Sequence, residues 1–82
     1  ATQTLRESRN LDQFLAHEPL DYIGFDGKRY TATWLQRPAF PLPFVDIRDA
    51  NGILQKRPYM REHEARNFYA GIAADPSAHI DA

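Results

Sequence analysis

The sequence predicts an α+β domain of element order α-β-β-β-β-α, a four-stranded antiparallel sheet of two hairpins with an N-terminal and a C-terminal helix packed on one face. Two apolar stretches repeat at helical spacing, one toward each end of the chain, and two turn signals lie between them. With 82 residues, 43% of them hydrophobic, the chain is long enough for one core of two layers. We therefore expect a single small domain over 1–82, with a frayed tail over 77–82.

The first helix is predicted over 11–17, because apolar residues recur there at helical spacing. Asn10 and Gln13 have the spacing at which two side chains cap each other's backbone donors at a helix start. A longer helix over 4–17, with a break near Asn10, is the alternative. Pro19 ends the helix in either case.

The first hairpin follows, with strands predicted over 21–25 and 28–36. Apolar and polar residues alternate in the second of these segments, which is the period of a strand with one buried face. Asp26 and Gly27 lie between the strands and favour a two-residue turn in which both residues have positive φ.

A connector with three prolines, 37–43, separates this hairpin from a second one. Prolines favour an extended path, so we expect a stiff bridge whose Phe40 packs at the edge of the sheet together with Leu42. A ligand for an aromatic groove is the alternative interpretation of the same prolines. Strands over 44–48 and 53–57 then flank a four-residue loop that ends in Asn-Gly.

The last helix is predicted over 61–74 and is terminated by Asp75 and Pro76. Its apolar residues fall on one side at helical spacing, so they are expected to enter the core. The residues that we expect to meet in the core, centred on Trp34, are Phe14, Tyr30, Trp34, Val45, Ile47, Phe68 and Ile72.

Charge is distributed unevenly along the chain. Residues 1–27 hold two positive and five negative side chains, 28–61 seven positive and two negative, and 62–82 one positive and four negative. The predicted strands therefore carry most of the positive charge, and the predicted helical segments are acidic.

The pleat places part of that positive charge on one face of the sheet. If Tyr30, Ala32 and Trp34 face the helices, their neighbours in the strand point to the opposite face, joined by Arg48 and by one of the two basic residues at 56 and 57. The candidate partner-binding residues are Arg29, Thr31, Thr33, Leu35, Arg37, Arg48, Lys56 and Arg57. A merely solvated face is the alternative, because small antiparallel sheets often expose arginine and threonine.

Residues for catalysis or metal binding are sparse. The chain has no cysteine, and its four glycines are scattered, so thiolate chemistry and a phosphate-cradling loop are both excluded. Glu62, His63 and Glu64 are adjacent, but the residue four after His63 is Asn67, which leaves no second ligand on that side of the helix. We therefore expect no catalytic residue, no metal and no cofactor.

The expected function is that of a small non-catalytic protein-binding module, such as an inhibitor, adaptor or accessory subunit, that docks its basic sheet face on a larger, acidic protein. One alternative is a nucleic-acid-binding accessory protein that uses the same face, although the net charge of −1 disfavours it. A second alternative is a small subunit of a multi-subunit enzyme, with a site around His17 or His63. The sequence contains neither a signal-peptide pattern nor about 20 consecutive apolar residues, so no membrane contact and a cytoplasmic location are expected.

Overall fold

The structure, a computed structural model, describes residues 11–80. Its elements are α1 (Leu11–Leu15), β1 (Leu20–Ile23), β2 (Arg29–Leu35), β3 (Phe44–Asp49), β4 (Leu54–Lys56), α2 (Glu62–Ala74) and a final 3-10 turn, Pro76–Ala78. The strands form one antiparallel sheet in the order β1-β2-β3-β4. The predicted order α-β-β-β-β-α is confirmed. The finer expectation that both helices lie on one face stays a prediction.

Helix α1 ends two residues earlier than its spacing predicted. His17 has φ +72°, and the amides of His17 and Glu18 donate to the carbonyls of Phe14 and Gln13, at 3.2 Å each. Such a pair of bonds around a left-handed residue closes the last turn of a helix. The predicted cap at Asn10 and the longer helix over 4–17 extend outside the described residues.

The turns of the two hairpins have the same backbone geometry. Gly27 has φ +78° and donates its amide to the carbonyl of Gly24, and Gly52 has φ +80° and donates to the carbonyl of Asp49. The residue after each glycine closes the turn. The carbonyl of Lys28 accepts the amide of Gly24 at 2.9 Å, and that of Ile53 accepts the amide of Asp49 at 3.0 Å. The expected two-residue turn at Asp26 is therefore wrong, because only the glycine adopts positive φ. The first strand accordingly stops at Ile23 rather than at residue 25.

The register assigns each strand side chain to one of two faces. On one of them, the core face, lie Leu20, Tyr22, Tyr30, Ala32, Trp34, Val45 and Ile47. Lys56 lies opposite Ile47 and therefore belongs to the same face. A register shift next to this pair interrupts the ladder between β3 and β4, which helps to limit β4 to three residues.

One buried cluster contains residues of both helices and of the strands. Its buried members are Phe14, Leu20, Ala32, Val45, Ile47, Ala65, Tyr69, Ile72 and Ala78. The ring of Phe14 lies 6.1 Å from that of Phe68 and 6.0 Å from that of Tyr69, measured between centroids, and so links α1 to α2. Full burial of one such side chain contributes about 1.5 to 3 kcal/mol to the free energy of unfolding.

Trp34 lies at the margin of the core rather than at its centre. Its side chain is half-buried, as are those of Tyr30 and Phe68, while the other expected core residues are buried. The indole nitrogen donates to the carbonyl of Met60 at 2.9 Å, and the ring of His17 stacks on the indole at 5.4 Å. Trp34 therefore connects β2 to the chain segments next to both helices.

The end of the described chain is held against the core. The carboxylate of Asp75 accepts hydrogen bonds from the amide and the hydroxyl of Ser77, at 3.0 and 2.7 Å, which begins the 3-10 turn after α2. Ala78 is buried, and the imidazole of His79 contacts the carbonyl of Ala73 at 3.0 Å. Ala78 and His79 therefore contact the rest of the fold. The frayed tail over 77–82 stays a prediction, and 81 and 82 lie outside the described residues.

Candidate functional site

The second face of the sheet, which we call the Thr31 face, gathers most of the candidate partner-binding residues. The strand register places on it Asp21, Ile23, Arg29, Thr31, Thr33, Leu35, Phe44, Asp46 and Arg48. The side chains from β2 are half-buried or exposed, and the Thr31 hydroxyl donates to the carboxylate of Asp21 at 2.7 Å. The alternation in β2 predicted this grouping correctly.

Asp46 organises the positive charge of the Thr31 face. Its Oδ2 accepts a hydrogen bond from Nε of Arg48 at 3.0 Å, and its Oδ1 lies 3.5 Å from Nε of Arg57. Arg48 also donates to the carbonyl of Gly52 at 2.9 Å. One carboxylate, 12% exposed, therefore orients two guanidinium groups and cancels part of their charge.

One oxygen of this carboxylate is not fully satisfied. Oδ1 of Asp46 is buried and accepts no hydrogen bond from the described residues, since the contact with Arg57 is only an ion pair. A buried carboxylate oxygen without a donor costs free energy. A small movement of Arg57, whose Nε lies 3.5 Å away, would satisfy it.

The proline connector covers one end of the Thr31 face. The ring of Phe40 packs on that of Phe44 with 4.6 Å between centroids, and the guanidinium of Arg57 lies 5.5 and 5.4 Å from the two rings. Phe44 is buried by these contacts. Phe40 packs on the sheet as expected, but the extended path is wrong, because the amide of Phe40 donates to the carbonyl of Arg37 at 3.1 Å and the chain turns there. The alternative role of the prolines as a ligand is untested.

Two of the candidate residues lie elsewhere. Lys56 belongs to the core face, because the register shift in β4 pairs it with Ile47, and its neighbour Arg57 reaches the Thr31 face instead. Arg37 lies just beyond the end of β2, where its guanidinium donates to the carbonyl of Gln36 at 3.3 Å.

Sequence reasoning overlooked the acidic members of the Thr31 face. Asp21 and Asp46 share this face with the arginines, and strict alternation along β1 and β3 would have placed them there once the register was known. Asp49 lies on the other face, opposite Tyr30, and is thereby separated from Asp46.

A groove of about 690 Å³ lies on the other side of the sheet, between the first hairpin and α2. The hairpin contributes Tyr22, Phe25, Asp26 and Tyr30, and α2 contributes Asn67, Phe68, Gly71 and Ile72. Ile47 and Lys56 line it from the sheet, and Asp75 and Ala78 line it from the chain after α2. The sequence did not predict this groove, because it forms where the side chains of the turn and the helix leave a gap.

Asp26 is held in place at the mouth of the groove. One carboxylate oxygen accepts the hydroxyl of Tyr30, and the other accepts the amide of Lys28 at 3.0 Å. The hydrogen bond from Tyr30 is the main reason why the pKa of Asp26 is lowered, and the same bond raises the pKa of Tyr30. Gly24 makes this geometry possible, because a Cβ at that position would lie 2.6 Å from the Tyr30 ring.

Aromatic rings form the adjacent wall of the groove. The centroid of the Tyr22 ring lies 6.0 Å from that of Tyr30 at an interplanar angle of 34° and 6.1 Å from that of Phe68 at 90°. Burial raises the pKa of Tyr22, and the charge of Asp26 adds to this effect. Phe25 is fully exposed in the turn beside them. The groove therefore combines aromatic surface with one fixed carboxylate.

The histidines do not converge on a site in the described part of the chain. Nδ1 of His17 lies 2.6 Å from the carbonyl oxygen of Trp34, and a carbonyl only accepts, so Nδ1 is the donor. His63 is exposed on α2. Between residues 11 and 80, no three His, Cys, Asp or Glu side chains are grouped so that they could hold a metal ion.

Comparison with protein-family models, with curated proteins and with solved structures finds no match for this chain. None of the helices within residues 11–80 has the length and apolar character needed to cross a membrane.

Proposed function

We propose that this protein is a non-catalytic binding module that docks the Thr31 face on a larger protein bearing acidic groups. The observation that carries the proposal is the strand register, which brings Arg29, Thr31, Thr33, Leu35 and Arg48 together on one face. Arginine is favoured at protein interfaces, and threonine and leucine can be covered there without leaving a charge unpaired.

The charges of the Thr31 face support an acidic partner. Arg29 makes no ion pair with any residue from 11 to 80, so its guanidinium is available to a carboxylate of the partner. Arg48 and Arg57 are already oriented by Asp46, which reduces the side-chain entropy that binding would cost.

Charge reversal at Arg29 tests the proposal. The partner is first captured from the source cells and purified, and its Kd is then measured for the wild-type protein and for Arg29→Glu and Arg66→Glu. Arg66 is exposed on α2 and pairs with Glu62 at 3.4 Å, so its reversal changes the net charge equally but away from the Thr31 face.

We expect Arg29→Glu to weaken binding about tenfold, because an attraction becomes a repulsion in the interface, and Arg66→Glu to change Kd by no more than about twofold. The difference should shrink at high salt, which screens exposed charges. An equal loss in both variants, or no loss in Arg29→Glu, would contradict docking through this face.

Duplex DNA serves as the competing ligand in the same experiment. Five neutralised phosphates would give a slope near −4.5 for log affinity against log salt, as an approximate rule. Lys56 lies on the core face, and Arg48 and Arg57 already contact Asp46, so we expect weak binding and a shallower slope. Micromolar or tighter binding with the steep slope would assign the Thr31 face to nucleic acid instead.

A further inference from the structure

The groove between the first hairpin and α2 is lined by aromatic rings and carboxylates, and its lining includes none of the arginines of the Thr31 face. We propose that it binds a small organic cation, namely a ligand with an alkylated ammonium group on an apolar body. Such a site would be independent of the docking proposed above, since it opens on the other side of the sheet.

The aromatic wall suits an alkylated ammonium. Tyr22 and Phe68 meet at 90°, and Tyr30 continues the wall beside Tyr22, so ring surface borders the groove in two directions. The face of an aromatic ring is negative and attracts a cation that has shed part of its water, which alkylated ammonium groups do easily. The four aromatic residues that line the groove are Tyr22, Phe25, Tyr30 and Phe68.

Asp26 provides the matching charge. The hydroxyl of Tyr30 and the amide of Lys28 each bond one of its oxygens, so the carboxylate is fixed before a ligand arrives. A carboxylate has lone pairs beyond these two bonds, and they are open to solvent at the mouth of the groove. A cation lying against the rings would therefore also face a negative charge that needs no reorganisation.

The remaining charges of the lining favour a cation over an anion. Asp26 and Asp75 are two carboxylates against the single ammonium of Lys56. Lys56 forms neither an ion pair nor a ring contact within residues 11–80, so the protein's own ammonium does not occupy the site. Its charge still repels a bound cation, so its removal should strengthen binding.

The apolar part of the groove leaves space for a ligand body. Its volume of about 690 Å³ lies within the range of small-molecule sites, about 300 to 1,000 Å³. Ile47, Phe68 and Ile72 line its floor and its α2 side. Gly71 widens the helix wall, because a Cβ there would meet no atom within 4 Å.

Choline and its uncharged isostere 3,3-dimethylbutan-1-ol test the proposal. Both are titrated into isotopically labelled protein while amide chemical shifts are recorded by NMR. We expect choline to shift the amides of Tyr22, Asp26 and Gly71 saturably with a millimolar Kd, and the alcohol to bind several times more weakly, because only choline carries the charge that the rings and Asp26 recognise.

Matched variants separate the charge from the shape of the site. Asp26→Asn should weaken choline binding about two- to fivefold, the range of an exposed ion pair, whereas Asp12→Asn on the exposed side of α1 should leave it unchanged. Gly71→Leu should abolish binding by filling the groove without loss of fold, and Gly71→Ala should retain it. Lys56→Gln should strengthen choline binding, because it removes the repelling ammonium.

Three results would overturn the proposal. One is the absence of a saturable chemical-shift change up to about 50 mM choline, which lies well above the expected millimolar Kd. Another is equal binding of the alcohol and choline, which would make the groove merely apolar. The third is unchanged binding in Asp26→Asn, or in a Gly71→Leu variant whose spectrum shows a native fold. None of these results bears on Arg29→Glu, so the two proposals fail separately.

Discussion

Asp46 is the residue that most changes how the Thr31 face should be understood. The sequence indicates a strip of arginines and threonines, whereas the structure places a nearly buried carboxylate among them, in contact with Arg48 and Arg57. Two guanidinium groups are thereby oriented, and the net charge of the face is reduced. Segment charges alone could not reveal this, because they do not say which side chains share a face.

The pair formed by Tyr30 and Asp26 gives a testable pH dependence. Its hydrogen bond lowers the pKa of Asp26 below the ordinary value of 3.8, so the bond's contribution to stability is present above that value and is lost as the pH falls through the lowered pKa. The pKa of Tyr30 is raised above 10.0, so at the alkaline end the contribution is lost as the pH rises through that raised pKa.

Substitution of Tyr30 by phenylalanine should therefore raise the pKa of Asp26 toward 3.8, because the main cause of its lowering disappears. Carboxyl ¹³C chemical shifts followed by NMR between acidic and neutral pH measure this pKa directly. Tyr59→Phe is the control, since Tyr59 is half-exposed beside Phe44 and makes no bond to Asp26. An identical Asp26 pKa in the wild type and in Tyr30→Phe would refute this cause.

At the scale of elements, the two hairpins resemble each other more than their sequences suggest. Asp-Gly and Asn-Gly both favour left-handed backbone, but only the glycines, at 27 and 52, adopt it, and both turns close with the same pair of backbone bonds. Turn positions were therefore predictable from sequence. The turn type was not, because it depends on the number of loop residues, which is three in both hairpins.

The end of α1 shows a second limit of sequence reasoning. His17 takes the left-handed conformation that glycine or asparagine usually takes at a helix end. The residue type at this position therefore does not indicate that the helix ends. The contact of its ring with Trp34 and its bond to the Trp34 carbonyl hold it there. Tertiary contacts, absent from any local pattern, therefore decide where the helix ends.

Two glycines in different elements should respond oppositely to alanine. Gly71→Ala in α2 should raise the free energy of unfolding by up to about 1 kcal/mol, because the new methyl group meets no atom and glycine disfavours a helix. Gly52→Ala in the second turn should lower it by about 1 to 2 kcal/mol, because φ there is +80°. Urea unfolding of both variants measures the two effects. A lower free energy of unfolding in Gly71→Ala would contradict the open space around this position.

At the scale of the whole molecule, the sheet separates two kinds of surface. The Thr31 face presents arginine, threonine and leucine, and the opposite side carries the core and, beside it, the aromatic groove with its carboxylates. Alternation along β2 was enough to predict the first surface. The groove was not predictable, because it depends on how far the first turn stands from α2.

Methyl NMR of the protein bound to its captured partner, with saturation transferred from the partner, shows which surface lies in the interface. We expect the methyl groups of Thr31, Thr33 and Leu35 to lose intensity because they lie in the interface. Those of Ala70 and Ala74, exposed on α2, should keep theirs. Saturation of the two alanines with no change at Thr31, Thr33 and Leu35 would contradict docking through the Thr31 face.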